Sequence, residues 1–235
     1  MNKSTVQEIK ERFDNDVERF SNLDTGQIAT IDAQISLELI TEASKRIRPN
    51  AQNILDVGCG AGNYSLKMLS KIADLNCTLV DLSKPMLHKA LERVSSKTNN
   101  TVTTLQGDIR DIELKANNFD IILAGAVLHH LRDDEDWETT FQKLYDLLKP
   151  GGCLMISDLI TQETDSVSEY IWERYGEYLE NIDGKEYRKK VLEYVEKEDS
   201  PRSMTYQLEL MKKIGFKKTE ILHKNMCFGA FGGIK

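Results

Sequence analysis

The chain has 235 residues and is 40% hydrophobic, enough for one substantial α/β core with a cap or insertion added to it. Its formal net charge of −7 gives no reason to expect a nucleic-acid-wrapping surface. No window approaches about 18 consecutive apolar residues, and Met1-Asn2-Lys3-Ser4-Thr5 opens without an apolar signal core, so a soluble cytoplasmic protein with no membrane segment is expected.

Residues 5–20 and 26–47 read as helices, with Ile28, Ile31, Ile35, Leu39 and Ala43 at helical spacing in the second. Asn22, Asp24 and Gly26 mark the break between them, and Pro49-Asn50 ends the pair. Strand patterns follow at 53–57, 78–81, 101–106, 119–123, 153–158, 217–223 and 226–232, with helices between most of them. Ser83 caps one helix, with Pro85 in its first turn and Met86, Leu87, Ala90, Leu91 and Val94 behind it. Asp133, Asp134 and Asp136 open another, with Trp137, Phe141, Leu144 and Leu148 on one face, and Lys149-Pro150-Gly151-Gly152 turns it into the next strand. The last helix carries Tyr206, Leu210 and Met211 and stops at Gly215.

Strands alternating with helices predict right-handed crossovers and a doubly wound parallel sheet. Lys224-Asn225 is too short for a parallel crossover, so the last two strands must form an antiparallel hairpin. The expected fold is therefore α/β, a seven-stranded, mostly parallel sheet with an antiparallel C-terminal hairpin. Residues 1–48 form an N-terminal helical cap, 49–160 and 204–235 the Rossmann-like core, and 161–203 a helical lid insertion. The insertion is rich in aromatics (Tyr170, Trp172, Tyr175, Tyr178, Tyr187, Tyr194), most of which are expected to staple its helices to the core. Its basic residues Lys185, Arg188, Lys189 and Lys190, with Arg202, read as a solvated face.

Cys59, Cys77, Cys153 and Cys227 have neither metal-ligand nor redox-motif spacing, so no metal site and no disulfide scaffold are expected. The chemistry lies in Asp56-Val57-Gly58-Cys59-Gly60-Ala61-Gly62. Glycines let a backbone turn at positive φ and approach a ligand closely. Asn63-Tyr64 after Gly62 excludes a P-loop, and the third glycine falls one residue early for a dinucleotide fingerprint. Asp56 would repel a pyrophosphate and suits a protonated amine. The ligand expected is a nucleotide-like cofactor without phosphates and with a cationic group.

This segment resembles the first motif of class I S-adenosylmethionine-dependent methyltransferases. The family's later landmarks follow in order: Leu79-Val80-Asp81, Gln106-Gly107-Asp108-Ile109, Phe119–Leu123 with Leu128-His129-His130-Leu131, Leu148–Gly152, and the terminal hairpin. The resemblance covers about residues 53 to 235. It implies S-adenosyl-L-methionine as cofactor, with Gly58 and Gly60 under its amino-acid moiety and Asp56 near its ammonium. It also implies Asp81 on the ribose hydroxyls, Leu82 and Met86 against the adenine, Asp108 and Ile109 at the adenine edge, and Gly125 beneath the sulfonium. In-line methyl transfer to a small-molecule acceptor follows. His129 and His130 are the tempting bases, but no catalytic residue is assigned, and Phe13, Phe20 and Trp172 are expected to be packing residues.

A narrower similarity links the helical cap, Ile171-Trp172 and the Asn225–Phe231 ending to the branch containing carboxy-S-adenosylmethionine synthases. Those enzymes hold an extra carboxylate with a lid arginine, and Lys189 falls at that position here, where a point charge replaces a planar fork. A carboxylating or tRNA-modification-linked enzyme is one alternative function. A non-catalytic cofactor-binding module is the other.

Overall fold

The computed structural model describes residues 3–22 and 27–235. Met1, Asn2, Asp24 and Gly26, which the sequence analysis used, lie outside the described residues. The N-terminal segment contains α1 (Val6–Asp14), α2 (Val17–Ser21) and α3 (Ala33–Ile47). The core then alternates: β1 (Asn53–Val57), α4 (Asn63–Lys71), β2 (Asn76–Asp81), α5 (Lys84–Ser95), β3 (Val102–Gln106), β4 (Phe119–Gly125), α6 (Asp134–Leu147) and β5 (Leu148–Leu159). After it come α7 (Asp165–Glu198), α8 (Met204–Ile214), β6 (Lys218–Asn225) and β7 (Phe228–Ile234).

The seven strands run in the order β3-β2-β1-β4-β5-β7-β6. All pairs among β1 to β5 are parallel, and β7 runs antiparallel to both β5 and β6. The central strands are apolar on both sides because both faces are covered. Leu55, Ile122, Leu154 and Ile156 meet Trp137 and Phe141 of α6 and Met211 of α8. Ile54, Ile121, Leu123 and Met155 face Ile40 of α3, Met68 of α4 and Ala90 of α5. Strand order reverses between β2 and β4 around β1, which opens a crevice at the carboxyl ends of β1 and β4.

Two helical expectations need correction. The first helix breaks at Asn15-Asp16, where the Asn15 side-chain amide donates to the Glu11 carbonyl and competes with helix propagation. The second begins at Ala33, after turns at 27–32. The Tyr175 and Tyr178 hydroxyls donate to the carbonyls of Ala29 and Ile28, and Asp32 takes a left-handed φ of 56° while accepting from His223 and Asn225. Its buried face is also not the expected apolar stripe. Ile28 and Ile35 are exposed, whereas Thr41 and Ser44 are buried because their hydroxyls donate to the carbonyls of Leu37 and Ile40. Finally, the turn expected at 149–152 lies within β5, where the register shifts between Phe119 and Ile121.

The insertion is one long element, α7, bent at Asp183-Gly184. Gly184 has φ 77° and ψ −176°, a conformation essentially reserved for glycine. Its two arms and the hairpin close a third apolar cluster around Tyr175, Leu179, Val191 and Phe228, with Trp172, Tyr178, Tyr187 and Tyr194 packed against it. Tyr170 alone of the six aromatics is exposed, at 57%. No helix among the described residues is long and apolar enough to cross a membrane.

Candidate functional site

The loop after β1 turns on Gly58, Gly60 and Gly62, at φ of 63°, 50° and 82°. A Cβ on Gly58 would stand 2.5 Å from Val127, and one on Gly62 2.9 Å from Val94. Those two glycines let the loop pack against its neighbours. Nothing lies within 4 Å of a Cβ on Gly60, so that turn faces open space where a ligand can approach.

Asp56 is completely buried under this loop. Its Oδ2 accepts from the Ser65 amide at 3.1 Å and the Ser65 hydroxyl at 2.7 Å, while Oδ1 has no hydrogen-bond partner. Burial, with Ser65 working against it, pushes its carboxyl up to about 7. An orphaned, buried carboxylate oxygen beneath an open glycine turn fits a ligand that brings a cationic donor. Asp81, at the end of β2, accepts from the Gly60 amide and the Ser83 amide, both at 2.8 Å. One lone pair on each of its oxygens remains for a diol.

The other expected residues lie along the same crevice. Leu82 is partly exposed, and Met86 is buried at the start of α5. Asp108 is gripped by Arg110, whose Nε and Nη2 donate to its two oxygens at 3.0 and 2.6 Å, and Arg110 also reaches Asp136. Those hydrogen bonds hold the Asp108 carboxyl below its usual range despite burial. Ile109 is buried. At Gly125 a Cβ would meet the Tyr64 ring at 2.4 Å, so Tyr64 covers the end of β4. Tyr64 has no role in the sequence reading; only its position directly after the glycine loop could have marked it. Beside it, Ala126 is exposed with φ 52°, a strained turn that no local residue type announces. The N-terminal segment closes over the loop: the Asn63 side chain donates to the Phe20 carbonyl at 2.9 Å, and Phe13 packs tilted against Phe20 with ring centroids 5.5 Å apart.

A second cluster follows β4. Asp158, at the end of β5, accepts from the Leu128 and His129 amides at 2.8 and 3.1 Å and from the Leu159 amide at 2.8 Å. The same carboxylate holds His129 Nδ1. On the far side, Asp199 Oδ1 lies 3.6 Å from His129 Nε2 and 3.1 Å from His130 Nδ1. Burial opposes a charge on His129, but Asp158 and Asp199 outweigh it and push the imidazole up to about 9. For His130 burial and the neighbouring His129 prevail and lower it. Asp158 and Asp199 were invisible from sequence because they are separated from the histidines by a strand and by the whole insertion.

Near Asp199, a cleft of about 370 Å³ opens between the insertion arms, lined by Thr161, Trp172, Leu192, Val195, Glu196 and Pro201 together with Asp199. Trp172 therefore lines this cleft while also packing on Tyr175. Lys189 is exposed, Arg188 pairs with Glu180 and Arg202 with Asp134, so these basic residues converge on no common pocket.

Residues 54–152 match the family described as methyltransferase domain. Over these residues the chain is similar to methyltransferase domains. The chain is 26% identical over 200 residues to the carboxy-S-adenosyl-L-methionine synthase of Vibrio atlanticus, covering 82% of this chain and 80% of that protein. An uncharacterised methyltransferase of Mycobacterium bovis is 34% identical over 121 residues, 52% of this chain and 56% of that protein. Among solved structures, phosphoethanolamine N-methyltransferase 2 of Haemonchus contortus, in complex with S-adenosyl-L-methionine, matches with a TM-score of 0.55 at 26% identity, covering 91% of this chain and 46% of that one. The chain thus spans about half the length of these last two relatives. The domain match centres on the crevice, from β1 to the start of β5, and leaves the N-terminal segment and the insertion outside it.

Proposed function

We propose that this methyltransferase domain transfers the methyl group of S-adenosylmethionine to a small-molecule acceptor held between the insertion and the His129-His130 turn. The observation that carries the reading is Asp56, buried beneath the open Gly60 turn with an oxygen that no donor among the described residues satisfies. When bound, S-adenosylmethionine supplies a methyl group activated by its sulfonium. The chain's own residues align and exclude water. Asp56 balances the ammonium of the amino-acid moiety, Gly58 and Gly60 let the backbone pass under it, and Asp81 accepts from the ribose hydroxyls. Leu82, Met86 and Ile109 frame the adenine, Asp108 accepts from its edge, and Gly125 with Tyr64 shapes the floor beneath the reacting carbon. The insertion acts as a lid, and the cleft at Trp172 admits the acceptor.

Incubating the protein with methyl-labelled donor and pools of small acceptors tests the reading, with label transfer and S-adenosylhomocysteine formation as the expected outcome. No turnover with any pool, despite cofactor binding, would favour the non-catalytic module.

The Vibrio relative supports a second reading, in which the bound nucleoside carries an added carboxylate. The exposure of Lys189 weighs against it, since a residue gripping that carboxylate would face the crevice. Weighing the nucleoside that co-purifies with the protein separates the two: an unmodified mass supports methyl transfer, and an added carboxyl group overturns it.

A further inference from the structure

We propose that His129, His130 and Asp199 form a binding site for one divalent transition-metal ion. One ring nitrogen each of His129 and His130 and a carboxylate oxygen of Asp199 lie within 4.8 Å of one another. Two of the separations, 3.1 and 3.6 Å, share Asp199 Oδ1. Ligands bound at about 2.1 Å around a four- or six-coordinate ion stand about 3.0–3.4 Å apart, so small side-chain rotations suffice to seat one.

The support behind the donors is already built. His129 Nδ1 is held by Asp158, and Asp158 is itself fixed by three backbone amides. A carboxylate–histidine pair of this kind sets the tautomer and turns Nε2 outward as a ligand. The independent sign of a missing partner is Asp199. Its side chain is 2% exposed, and Oδ1 accepts no hydrogen bond although two imidazole nitrogens converge on it. An Asp158–His129–Asp199 chain of ion pairs accounts for one imidazole only. It leaves His130 facing the same oxygen, with its other nitrogen, Nε2, buried and unpartnered. A metal ion between the three donors, displacing the proton from His129 Nε2, engages that oxygen directly and gives both imidazoles one task.

The donor set selects the ion. Two imidazoles and one carboxylate suit zinc, manganese or ferrous iron, whereas calcium and magnesium prefer oxygen ligands. Three protein ligands leave positions open, and one of these can take an acceptor oxygen if the methyl-transfer reading holds. Arg12 directs its hydrogen bonds to Glu198 and not to Asp199, although its charge is felt at Asp199. Binding would join three separate segments: the turn after β4, the end of the insertion, and, through Phe13 packed on His130 at 6.1 Å, the N-terminal segment.

The test needs no acceptor. Chelator-stripped full-length protein is titrated calorimetrically with Zn²⁺ and Mn²⁺, and with Co²⁺ while its visible absorption is followed. One ion per chain is expected, with affinity falling at least about tenfold in both Asp199→Asn and His130→Ala. Should Asp199→Asn fail to fold by circular dichroism, His130→Ala decides alone. No saturable binding of any of the three ions, or binding that His130→Ala retains in full, overturns the proposal. A titration with S-adenosylhomocysteine on the same preparations reports separately on the cofactor site.

Discussion

Asp56 keeps its proton in the folded chain at pH values where an exposed carboxyl has lost it, because burial outweighs the two hydrogen bonds from Ser65. Its stabilising contribution is full below the ordinary carboxyl value of 3.8 and is lost as pH rises through about 7, since the unfolded chain ionises first. The Asp56→Asn variant should therefore show a flatter dependence of Tm on pH between those limits. Binding of a ligand ammonium reverses the balance by favouring the carboxylate. S-adenosylhomocysteine is expected to bind about tenfold more weakly at pH 6 than at pH 8, with proton release visible in buffers of different ionisation enthalpy. Asp56→Asn should abolish that release.

The glycines of the loop separate by what surrounds them. Gly62→Ala meets Val94 and should lower stability by about 1–3 kcal/mol, read from chemical denaturation. Gly60→Ala meets nothing among the described residues, so the same experiment should register only the cost of its positive φ, about 1 kcal/mol, while calorimetry shows impaired S-adenosylhomocysteine binding. Equal losses of stability with unimpaired binding would place the ligand elsewhere.

At the scale of elements, the N-terminal segment is fastened to the insertion more firmly than its amphipathic helices alone would predict. Arg12 Nε donates to both oxygens of Glu198 at 2.9 Å, Arg132 donates to the Ser4 carbonyl at 2.8 Å, and the Ser4 amide to the Lys197 carbonyl at 2.9 Å. Arg12→Ala leaves a nearly buried carboxylate without its guanidinium. Because Arg12 itself is a quarter exposed, the expected cost is moderated to about 1–2 kcal/mol, with a Tm drop of about 3–6 °C and faster proteolysis before α3. The bend in α7 depends on Gly184 in the same way. Gly184→Ala cannot hold that backbone without strain, so amide exchange should rise across both arms of α7 while the strands of the sheet keep their protection. These tertiary ties also explain which helix boundaries escaped the sequence. Capping signals at Ser83 and Asp133 are local and appear as expected, through side chains accepting from Met86 and Asp136. The start of α3 is set by tyrosines about 145 residues away along the chain, and no local pattern carries that information.

For the whole molecule, the alternating core was legible because each strand and helix announces itself through short-range periodicity, and the short link between the last two strands, expected at Lys224-Asn225 but formed by Met226-Cys227 because β6 runs on through Asn225, demanded the antiparallel hairpin. The proposed cofactor half of the site stands out in the sequence for the same reason: Asp56, the glycines and Asp81 sit at fixed positions at the ends of consecutive strands. The acceptor half was not, since His129 gains its partners only when β5 and the end of α7 are folded beside it. The family match covers residues 54–152 and so bears on the legible half. The account rests above all on the crevice over Gly60 binding S-adenosylmethionine. Calorimetric titration of the intact protein with S-adenosylhomocysteine at pH 8 tests that most directly. One site per chain, lost in a variant carrying both Asp56→Ala and Asp81→Ala, is the predicted result; a folded wild-type protein with no measurable affinity would contradict it.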